Sequence, residues 1–357
     1  MLLIDGSQGE GGGQVLRTSL ALSVICQQPI RITNIRANRS KPGLKAQHLK
    51  ALDAAAAISK AEVAGAALHS GEISFHPREI RSGRYRLEIG TAGSTSLVLQ
   101  TILVPLSLAS SASTVSISGG THVPWSPCFH YLDVQWLPWL REMGFTASLV
   151  LDRAGFYPQG GGRITASIRP LQRILPLNLQ DRGALLRIRG LSAVANLPIS
   201  IAERQKRQAM LRLQKIAWSG QPDLSIKLLN LNSQVKGTFL FLLAEFENGS
   251  ASFTSLGELG KPAERVADQA IDDLLQFLTS GAAIDKYLAD QLLLPLSLAK
   301  NASVLHTASV TRHLLTNAQI IQQFLPVRIQ VEGELNQPGW VTIEPGDEHT
   351  IPHDPAS

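Results

Sequence analysis

The sequence is short of cysteine and of long apolar runs. Cys26 and Cys128 are its two cysteines, so no disulfide framework is available, and two thiols in a chain of this size fit a reducing cytoplasm, where we expect the protein. No apolar run approaches the roughly 20 residues of a membrane span, and Met1–Ile4 leads straight into a glycine-rich loop. We therefore expect no membrane segment and no signal peptide.

What is present indicates a globular protein with a cationic start. Apolar residues make up 44% of the 357 residues, which is enough for a core, and the length predicts about two domains. The first 60 residues hold eight basic and three acidic side chains. Their net charge of +5 equals the net charge of the whole chain, so the other residues are neutral in sum. A cationic segment suggests a polyanionic partner, although a solvated basic face is the commoner explanation.

The loop from Gly9 to Gly13 is the most informative local pattern. Four of its five residues are glycines, and the fifth is Glu10. An apolar helical pattern starts directly after the loop. Glycine lets the backbone approach a ligand, and a helix start presents free N–H groups to anions, so the loop is typical of phosphate binding. A plain strand-to-helix turn is the alternative, and no Walker A lysine follows. A carboxylate among such amides favours a metal ion between Glu10 and a phosphate.

The order of predicted elements indicates repeated α/β units. The first unit, up to residue 90, combines two predicted helices with four predicted strands: helices at 15–26 and 44–60, strands at 2–5, 29–35, 72–75 and 85–89. A similar order follows over 91–180, with one long helix at 129–143.

The second half of the chain is predicted to contain a separate piece. Residues 181–280 show a β-α-β-β-α order of their own, with strands at 185–194, 224–231 and 237–246 and helices at 202–215 and 263–278. After them we expect a helix at 284–298, then a short helix capped by Thr316 with Gln319 completing a capping box, and a terminal hairpin.

Five segments resemble RNA 3′-terminal phosphate cyclases, in that family's order and over nearly the whole chain. They are QGEGGGQVLR, IRANRSKPGL with a following QHL, FYPQGGG, YLADQLLLPL and HLLTN. The resemblance implies an α/β (α+β) fold: a large catalytic domain of three repeated βαβαββ units, residues 1–180 and 281–357, interrupted by a smaller α/β insert domain, residues 181–280.

The resemblance also implies the reaction. Family members use ATP to convert a 3′-phosphate on RNA to a 2′,3′-cyclic phosphate, through a histidine–AMP intermediate and an RNA–adenylate intermediate. His313 matches the adenylated histidine, and Glu10 matches a carboxylate that binds Mg²⁺ or Mn²⁺. A neutral imidazole is nucleophilic without first losing a proton, which suits His313 to this role.

The remaining implied site residues fall into two groups. Those expected to bind ATP are Gln100, Pro127, Tyr131, Tyr287, Asp290 and Gln291. Those expected to bind phosphate or RNA are Arg17, Arg36, Arg39 and Gln47. For Gln47 and Gln100 a plain helix surface is the alternative, and Trp125–Tyr131 departs from the family's more proline-rich version.

Two other functions are left open. A non-catalytic RNA-binding ribosome-assembly factor has the same fold, and an enolpyruvate transferase has related β-α repeats. The presence of His313, Glu10 and the arginines argues against the first, and the glycine loop and HLLTN segment argue against the second. We expect RNA and ATP as partners, and a monomer and a homodimer both remain open. If the cyclase interpretation holds, Glu10 and His313 must lie close together in the folded chain.

Overall fold

The computed structural model describes residues 1–346. Its first unit forms a four-stranded sheet of order β1-β2-β4-β3 with two helices. The elements are β1 (Leu2–Asp5), α1 (Gly13–Cys26), β2 (Ile30–Thr33), α2 (Ala46–Ser59), β3 (Glu62–Ala64) and β4 (Ile73–His76). β1 and β2 are parallel, and the other pairs are antiparallel.

The second unit repeats this topology. Its elements are β5 (Arg84–Glu88), α3 (Thr95–Ser107), β6 (Ser113–Gly119), α4 (Phe129–Tyr131), a π-helical turn (Leu132–Trp136), α5 (Leu137–Glu142), β7 (Thr146–Arg153) and β8 (Gly162–Arg169). The sheet order is β5-β6-β8-β7, again with a parallel first pair. The helix predicted at 129–143 therefore exists, but with a π-helical turn at its centre.

A third unit begins at β9 (Asn178–Leu179), and a separate sheet then interrupts it. This sheet has the order β11-β10-β12-β13. Its elements are β10 (Leu185–Ala195), α6 (Ile199–Gln214), β11 (Asp223–Asn230), β12 (Gly237–Phe246), β13 (Gly249–Leu256) and α7 (Ala263–Ser280). The apolar face of α7, from Val266 to Phe277, packs with the sheet and α6 into a core of its own.

The chain then completes the third unit. The remaining elements are α8 (Leu288–Leu296), β14 (Ser303–Thr307), α9 (Arg312–Phe324), β15 (Val327–Glu332) and β16 (Gly339–Pro345). The sheet order, β15-β16-β14-β9, matches the other two units, with β9 and β14 parallel. The predicted α/β (α+β) fold of three βαβαββ units with a smaller α/β insert is confirmed.

Several element predictions were wrong in detail. The strand predicted at 85–89 pairs in parallel with β6, so it opens the second unit instead of closing the first. The last pair of the first unit is β3 and β4, and β3 was missed because three residues give no readable alternation. β13 was missed because its small polar residues hide the alternation.

Two helix starts near the C-terminal end also differ from prediction. The helix expected from 284 begins at Leu288, because Asp285 Oδ1 accepts the backbone N–H groups of Tyr287 and Leu288 in a preceding turn. The N-cap of α9 is Thr311, whose hydroxyl accepts from Leu314 N, so Thr316 lies inside the helix and the predicted capping box is absent.

Packing between helices brings the first and third units together. α1 packs against α9 as well as against α2 and α3, and α9 also packs against α8. One apolar core runs through all three units. Within residues 1–346, no helix combines the length and apolarity needed to cross a bilayer.

Candidate active site

The glycine loop lies against the first turns of α9. Gly9 has a positive φ of 60°, and a Cβ on it would lie 2.0 Å from Thr316 Oγ1. The neighbouring Glu10 N–H donates to the same hydroxyl at 3.4 Å, and that hydroxyl donates to Arg312 O at 2.7 Å. Glycine is therefore required at position 9 both by backbone conformation and by the close approach of the helix.

Glu10 and His313 meet at this contact. His313 Nε2 lies 3.0 Å from Glu10 Oε2, and an Arg39 guanidinium nitrogen lies 3.3 Å from the same oxygen. The Glu10 side chain is 11% exposed, whereas that of His313 is 47% exposed. A Cβ at Gly12 would lie 2.2 Å from Glu10 Oε1, so the glycine leaves room for the carboxylate. The proximity predicted from the sequence is confirmed.

The electrostatic surroundings favour an uncharged imidazole at position 313. Burial lowers the pKa of His313, the positive charges of Arg17 and Arg39 lower it further, and the Glu10 carboxylate opposes them. The side chain can therefore present a lone pair at neutral pH while remaining accessible from the cleft.

Two ionisable groups beside the pair, Arg17 and Asp290, have shifted pKa values. Burial lowers the pKa of Arg17 to about 10, opposed by Glu10 and Asp290, so the guanidinium stays charged at neutral pH. Burial raises the pKa of Asp290 to about 8, against the effect of Arg17. Shifted groups that meet in one cleft are typical of functional sites.

Asn317 joins three helices behind the site. Its Oδ1 accepts from Thr18 Oγ1 at 2.7 Å and from Gln14 Nε2 at 3.0 Å, and its Nδ2 donates to Asp290 O at 3.0 Å. It is buried. The residue thus ties α1 and α8 to α9, and with them Arg17 and Asp290 to His313.

A cleft of about 1950 Å³ opens from this point towards the inserted sheet. Eight of the twelve predicted site residues line it: Arg17, Gln100, Pro127, Tyr131, Tyr287, Asp290, Gln291 and His313. This volume exceeds the roughly 300–1,000 Å³ of an ordinary small-molecule pocket, so the cleft can hold a nucleotide and leave room for a second ligand.

The predicted ATP-binding residues differ in exposure. Tyr287 is 55% exposed, whereas Tyr131 is buried, with its hydroxyl donating to Asp285 Oδ1 at 3.4 Å. Gln100 Nε2 donates to Gln291 Oε1 at 2.7 Å, which joins α3 to α8. Tyr287 therefore offers an exposed ring with the Lys286 ammonium 5.0 Å from its centroid, while Tyr131 forms part of the inner wall.

Two other predicted residues make structural contacts away from the cleft lining. Arg36 is buried, and its guanidinium donates to the carbonyls of Lys41 and Gly43, each at 2.8 Å. Gln47 Oε1 accepts from Ser94 N at 2.9 Å, at the start of α3. These contacts order the cationic loop and a helix start.

Sequence reasoning missed several residues that build the site. Thr316 and Asn317 belong to the HLLTN segment, so their motif was noticed, but Thr316 was predicted as a helix cap and no role was predicted for Asn317. His48, whose ring lies against the glycine loop, was also missed. A Cβ at Gly13 would lie 2.5 Å from His48 Nε2, and burial lowers the pKa of His48 to about 3. Asp285, inside the cleft wall, carried no local signal.

Comparison with known proteins identifies the family. A family model described as RNA 3′-terminal phosphate cyclase matches residues 8–331. The chain belongs to the RNA 3′-terminal phosphate cyclase family. The family predicted from the five segments is thereby confirmed.

Curated RNA 3′-terminal phosphate cyclases are similar over most of their length. The protein from Pseudomonas fluorescens is 48% identical over 327 residues, which cover 92% of this chain and 93% of the relative. That from Ralstonia nicotianae is 45% identical, covering 93% of each chain. That from Gloeothece citriformis is 43% identical, covering 91% of this chain and 93% of the relative. Their shared cyclase name favours an enzyme over the non-catalytic factor.

The comparison with solved structures adds nothing on function. The enolpyruvyl transferase NikO from Streptomyces tendae is 10% identical, with a TM-score of 0.28, covering 97% of this chain and 66% of that chain. A TM-score this low supports no inference about fold or activity. Placement in the cyclase family therefore rests on the sequence comparisons.

Proposed function

We propose that this chain is an ATP-dependent RNA 3′-phosphate cyclase in which His313 is the nucleophile. The observation that carries the proposal is the contact of 3.0 Å between His313 Nε2 and Glu10 Oε2, beside a cleft large enough for a nucleotide, in a member of this family. The accessible, uncharged imidazole and the buried carboxylate supply the two groups that nucleotidyl transfer needs.

The proposed reaction has three steps. The imidazole of His313 attacks the α-phosphorus of ATP, an N–P bond forms, and pyrophosphate leaves. An oxygen of the RNA 3′-phosphate then takes the AMP, which restores the free imidazole. Finally the vicinal 2′-hydroxyl attacks the activated phosphorus, loses its proton and expels AMP, which leaves the 2′,3′-cyclic phosphate.

Arg17 and Arg39 provide the positive charge for these steps. The positive charge of each lowers the pKa of His313, which supports placing both guanidinium groups near the imidazole. Forked guanidinium groups bind phosphate oxygens through two parallel hydrogen bonds and stabilise charge that develops during transfer. We assign Arg17 to the triphosphate and the more exposed Arg39 to either the triphosphate or the RNA end.

The adenine is proposed to lie beside Tyr287, with Pro127 and Tyr131 as the opposite wall. The exposed ring of Tyr287 can stack on the base, and the Asp290 carboxyl can bind its exocyclic amino group. The pair formed by Gln100 and Gln291 supplies further polar atoms at 2.7 Å from each other. Arg36 and Gln47 are proposed to act through the loop and helix that they order.

Glu10 is suited to hold Mg²⁺ or Mn²⁺. Among residues 1–346, no cluster of three ligand side chains includes Glu10, and Mg²⁺ commonly binds through one or two carboxylates together with substrate phosphates and water. A bound cation would neutralise charge on the phosphates. With Glu10→Gln, we expect the Mg²⁺ concentration for half-maximal activity to rise about tenfold or more, while the exposed Glu79→Gln variant should match the wild type. An unchanged Mg²⁺ dependence in Glu10→Gln would remove this assignment.

The domain limits and the location are also proposals. Residues 1–180 and 281–357 are proposed as the catalytic domain and 181–280 as the insert, which is supported by the separate sheet and core of β10–β13. A reducing cytoplasm is supported by the unpaired Cys26 and Cys128.

An end-group assay tests the proposed activity. An RNA with a labelled 3′-phosphate is incubated with ATP, Mg²⁺ and the protein, and the label should become resistant to phosphatase as AMP and pyrophosphate accumulate. An RNA whose last nucleotide lacks the 2′-hydroxyl should stop at the adenylated 3′-phosphate. If RNA binds but neither product forms, the non-catalytic function is favoured instead.

A further inference from the structure

Three buried side chains with metal-binding atoms converge beside the cleft, away from Glu10 and His313. They are His122, Cys128 and His130, which lie between β6 and the π-helical turn. One sulfur and two ring nitrogens lie within 4.8 Å of one another. In the described part of the chain this is the one group of three or more His, Cys, Asp or Glu side chains at such range.

The two histidines face each other through ring nitrogens. His122 Nε2 lies 3.0 Å from His130 Nδ1. Both rings are buried, and a hydrogen bond between two ring nitrogens requires one of them to present a lone pair, as a metal ligand must. Neither ring is used by the proposed cyclase reaction.

A neighbouring hydroxyl orients His122. Thr121 Oγ1 lies 2.8 Å from His122 Nδ1, and the same oxygen accepts from Gly155 N at 2.9 Å. When Nδ1–H donates to this oxygen, the lone pair of Nε2 points towards His130. Phe239 and Phe156 stack on the His122 ring and hold its plane. Metal-binding histidines are commonly oriented by such a hydrogen bond from the second nitrogen.

We propose that His122 Nε2, His130 Nδ1 and Cys128 Sγ together bind one Zn²⁺ ion. In a tetrahedral zinc site, Zn–N bonds of about 2.0–2.1 Å and a Zn–S bond of about 2.3 Å place the ligand atoms roughly 3.3–3.6 Å apart. The nitrogens lie 3.0 Å apart and all three ligand atoms lie within 4.8 Å of one another, so binding requires the two rings to separate by a few tenths of an ångström.

The donor set selects the metal. A site with one thiolate and two imidazoles binds Zn²⁺ in preference to Mg²⁺. Mg²⁺ prefers oxygen ligands such as the carboxylate of Glu10. A cysteine without a metal ion is a thiol at neutral pH, so the apo site holds the Cys128 proton. Binding forms the Zn–S bond and releases the thiol proton to solvent, one proton for each ion bound.

The cluster borders the cleft. His122, Cys128 and Thr254 all line it, and Thr254 Oγ1 lies 3.5 Å from Cys128 Sγ. A water molecule from the cleft or the Thr254 hydroxyl can complete the tetrahedron. The ion would hold the segment from His122 to Tyr131, which includes Pro127 and forms one wall of the cleft. The zinc site does not depend on the proposed cyclase activity.

Cobalt substitution tests the site on the full chain, freed of any affinity tag and of metal. We expect about one equivalent of Co²⁺ to produce the visible bands of a tetrahedral complex together with a thiolate-to-cobalt charge-transfer band. Added Zn²⁺ should remove both signals, and metal binding should release one proton per chain. Cys128→Ser should abolish the charge-transfer band, and His130→Gln should weaken binding at least about tenfold. Cys26→Ser, at the other cysteine, is the matched control and should behave as the wild type.

The wild-type result decides the proposal even where a variant fails to fold. Absence of a charge-transfer band in the wild type with excess Co²⁺ would show that His122, Cys128 and His130 form only a hydrogen-bonded buried cluster. A band that persists in folded Cys128→Ser, or disappears in Cys26→Ser, would place the metal elsewhere.

Discussion

His313 Nε2 and Glu10 Oε2, which come from the last and first units of the fold, lie 3.0 Å apart. The contact depends on the packing of α1 against α9, because Glu10 lies in the loop before α1 and His313 lies in the first turn of α9. Arg39 approaches the same carboxylate, so one oxygen of Glu10 is shared by a cation and by the proposed nucleophile. The site is therefore completed only when the first and third units are packed together.

Gly9→Ala should impair the enzyme without unfolding it. A methyl group at this position would lie 2.0 Å from Thr316 Oγ1, and the backbone has a positive φ, so the loop must move away from α9. Displacement of a catalytic group by about 1 Å can reduce the rate roughly 100-fold, and we expect ATP-dependent cyclisation to fall by about that factor. The assay compares initial rates at saturating ATP.

Gly71→Ala is the control for the Gly9 variant. A Cβ at Gly71 would have no heavy atom within 4 Å, so both the rate and the melting temperature should match the wild type. Equal activity of Gly9→Ala and Gly71→Ala would show that the loop position is not important for catalysis.

Asn317→Ala should destabilise the interface between the first and third units. The substitution leaves the Thr18 hydroxyl, the Gln14 amide and the Asp290 carbonyl without this partner. Each buried polar group without a partner costs about 1–3 kcal/mol, so we expect the free energy of unfolding to drop by about 2–4 kcal/mol in urea titrations. Gln319→Ala, at an exposed position of the same helix, should change it by less than about 0.5 kcal/mol. Equal stability of the two variants would contradict the role of Asn317.

Asp285 should make stability depend on pH. Burial raises its pKa from 3.8 to about 6, against the backbone N–H groups of Tyr287 and Leu288 that it accepts. In the unfolded chain the group ionises near 3.8, so between these values the folded state binds the extra proton. The extra proton contributes on the order of 3 kcal/mol to the free energy of unfolding. This contribution is fully present below the unfolded pKa of 3.8 and is lost as the pH rises through the folded pKa of about 6.

Asp285→Asn removes this titration. The free energy of unfolding of the wild type, relative to Asp285→Asn, should therefore fall between about pH 4.5 and about pH 7. Urea titrations at both pH values measure the difference in free energy of unfolding between the two proteins. The exposed Asp53→Asn variant controls for the loss of one carboxylate. A constant difference between wild type and Asp285→Asn across this range would contradict the shifted pKa.

The sequence allowed prediction of the local elements with strong periodicity. The strand predicted at 237–246 coincides with β12, and the helix at 44–60 contains α2. Short or polar strands such as β3 and β13 were missed, since three residues, or a strand made mostly of small and polar residues, show no clear alternation. The capping prediction at Thr316 was wrong. The helix already begins at Arg312 with Thr311 as its N-cap, so the Thr-x-x-Gln pattern at Thr316 occurs inside the helix.

The site was predicted less completely than the fold. The proximity of Glu10 to His313 followed from the family resemblance, because contacts between distant parts of a chain leave no periodic signal. The side-chain network of Asn317 and the buried position of Asp285 depend on how α1, α8 and α9 pack, which no single segment shows. The structural contacts of Arg36 and Gln47 were likewise hidden, since a long polar side chain can serve either a loop or a ligand.

Covalent labelling tests the central proposal most directly. The wild-type protein is incubated with Mg²⁺ and ATP labelled at the α-phosphate, without RNA, and is then denatured. The label bound to the protein should be acid-labile. Mass spectrometry should find one AMP on the peptide that contains His313. His313→Asn should take up no label, while His306→Asn, at a histidine stacked on Trp340, should be labelled as the wild type is. Absence of label from folded wild-type protein, or full labelling of His313→Asn, would contradict the account.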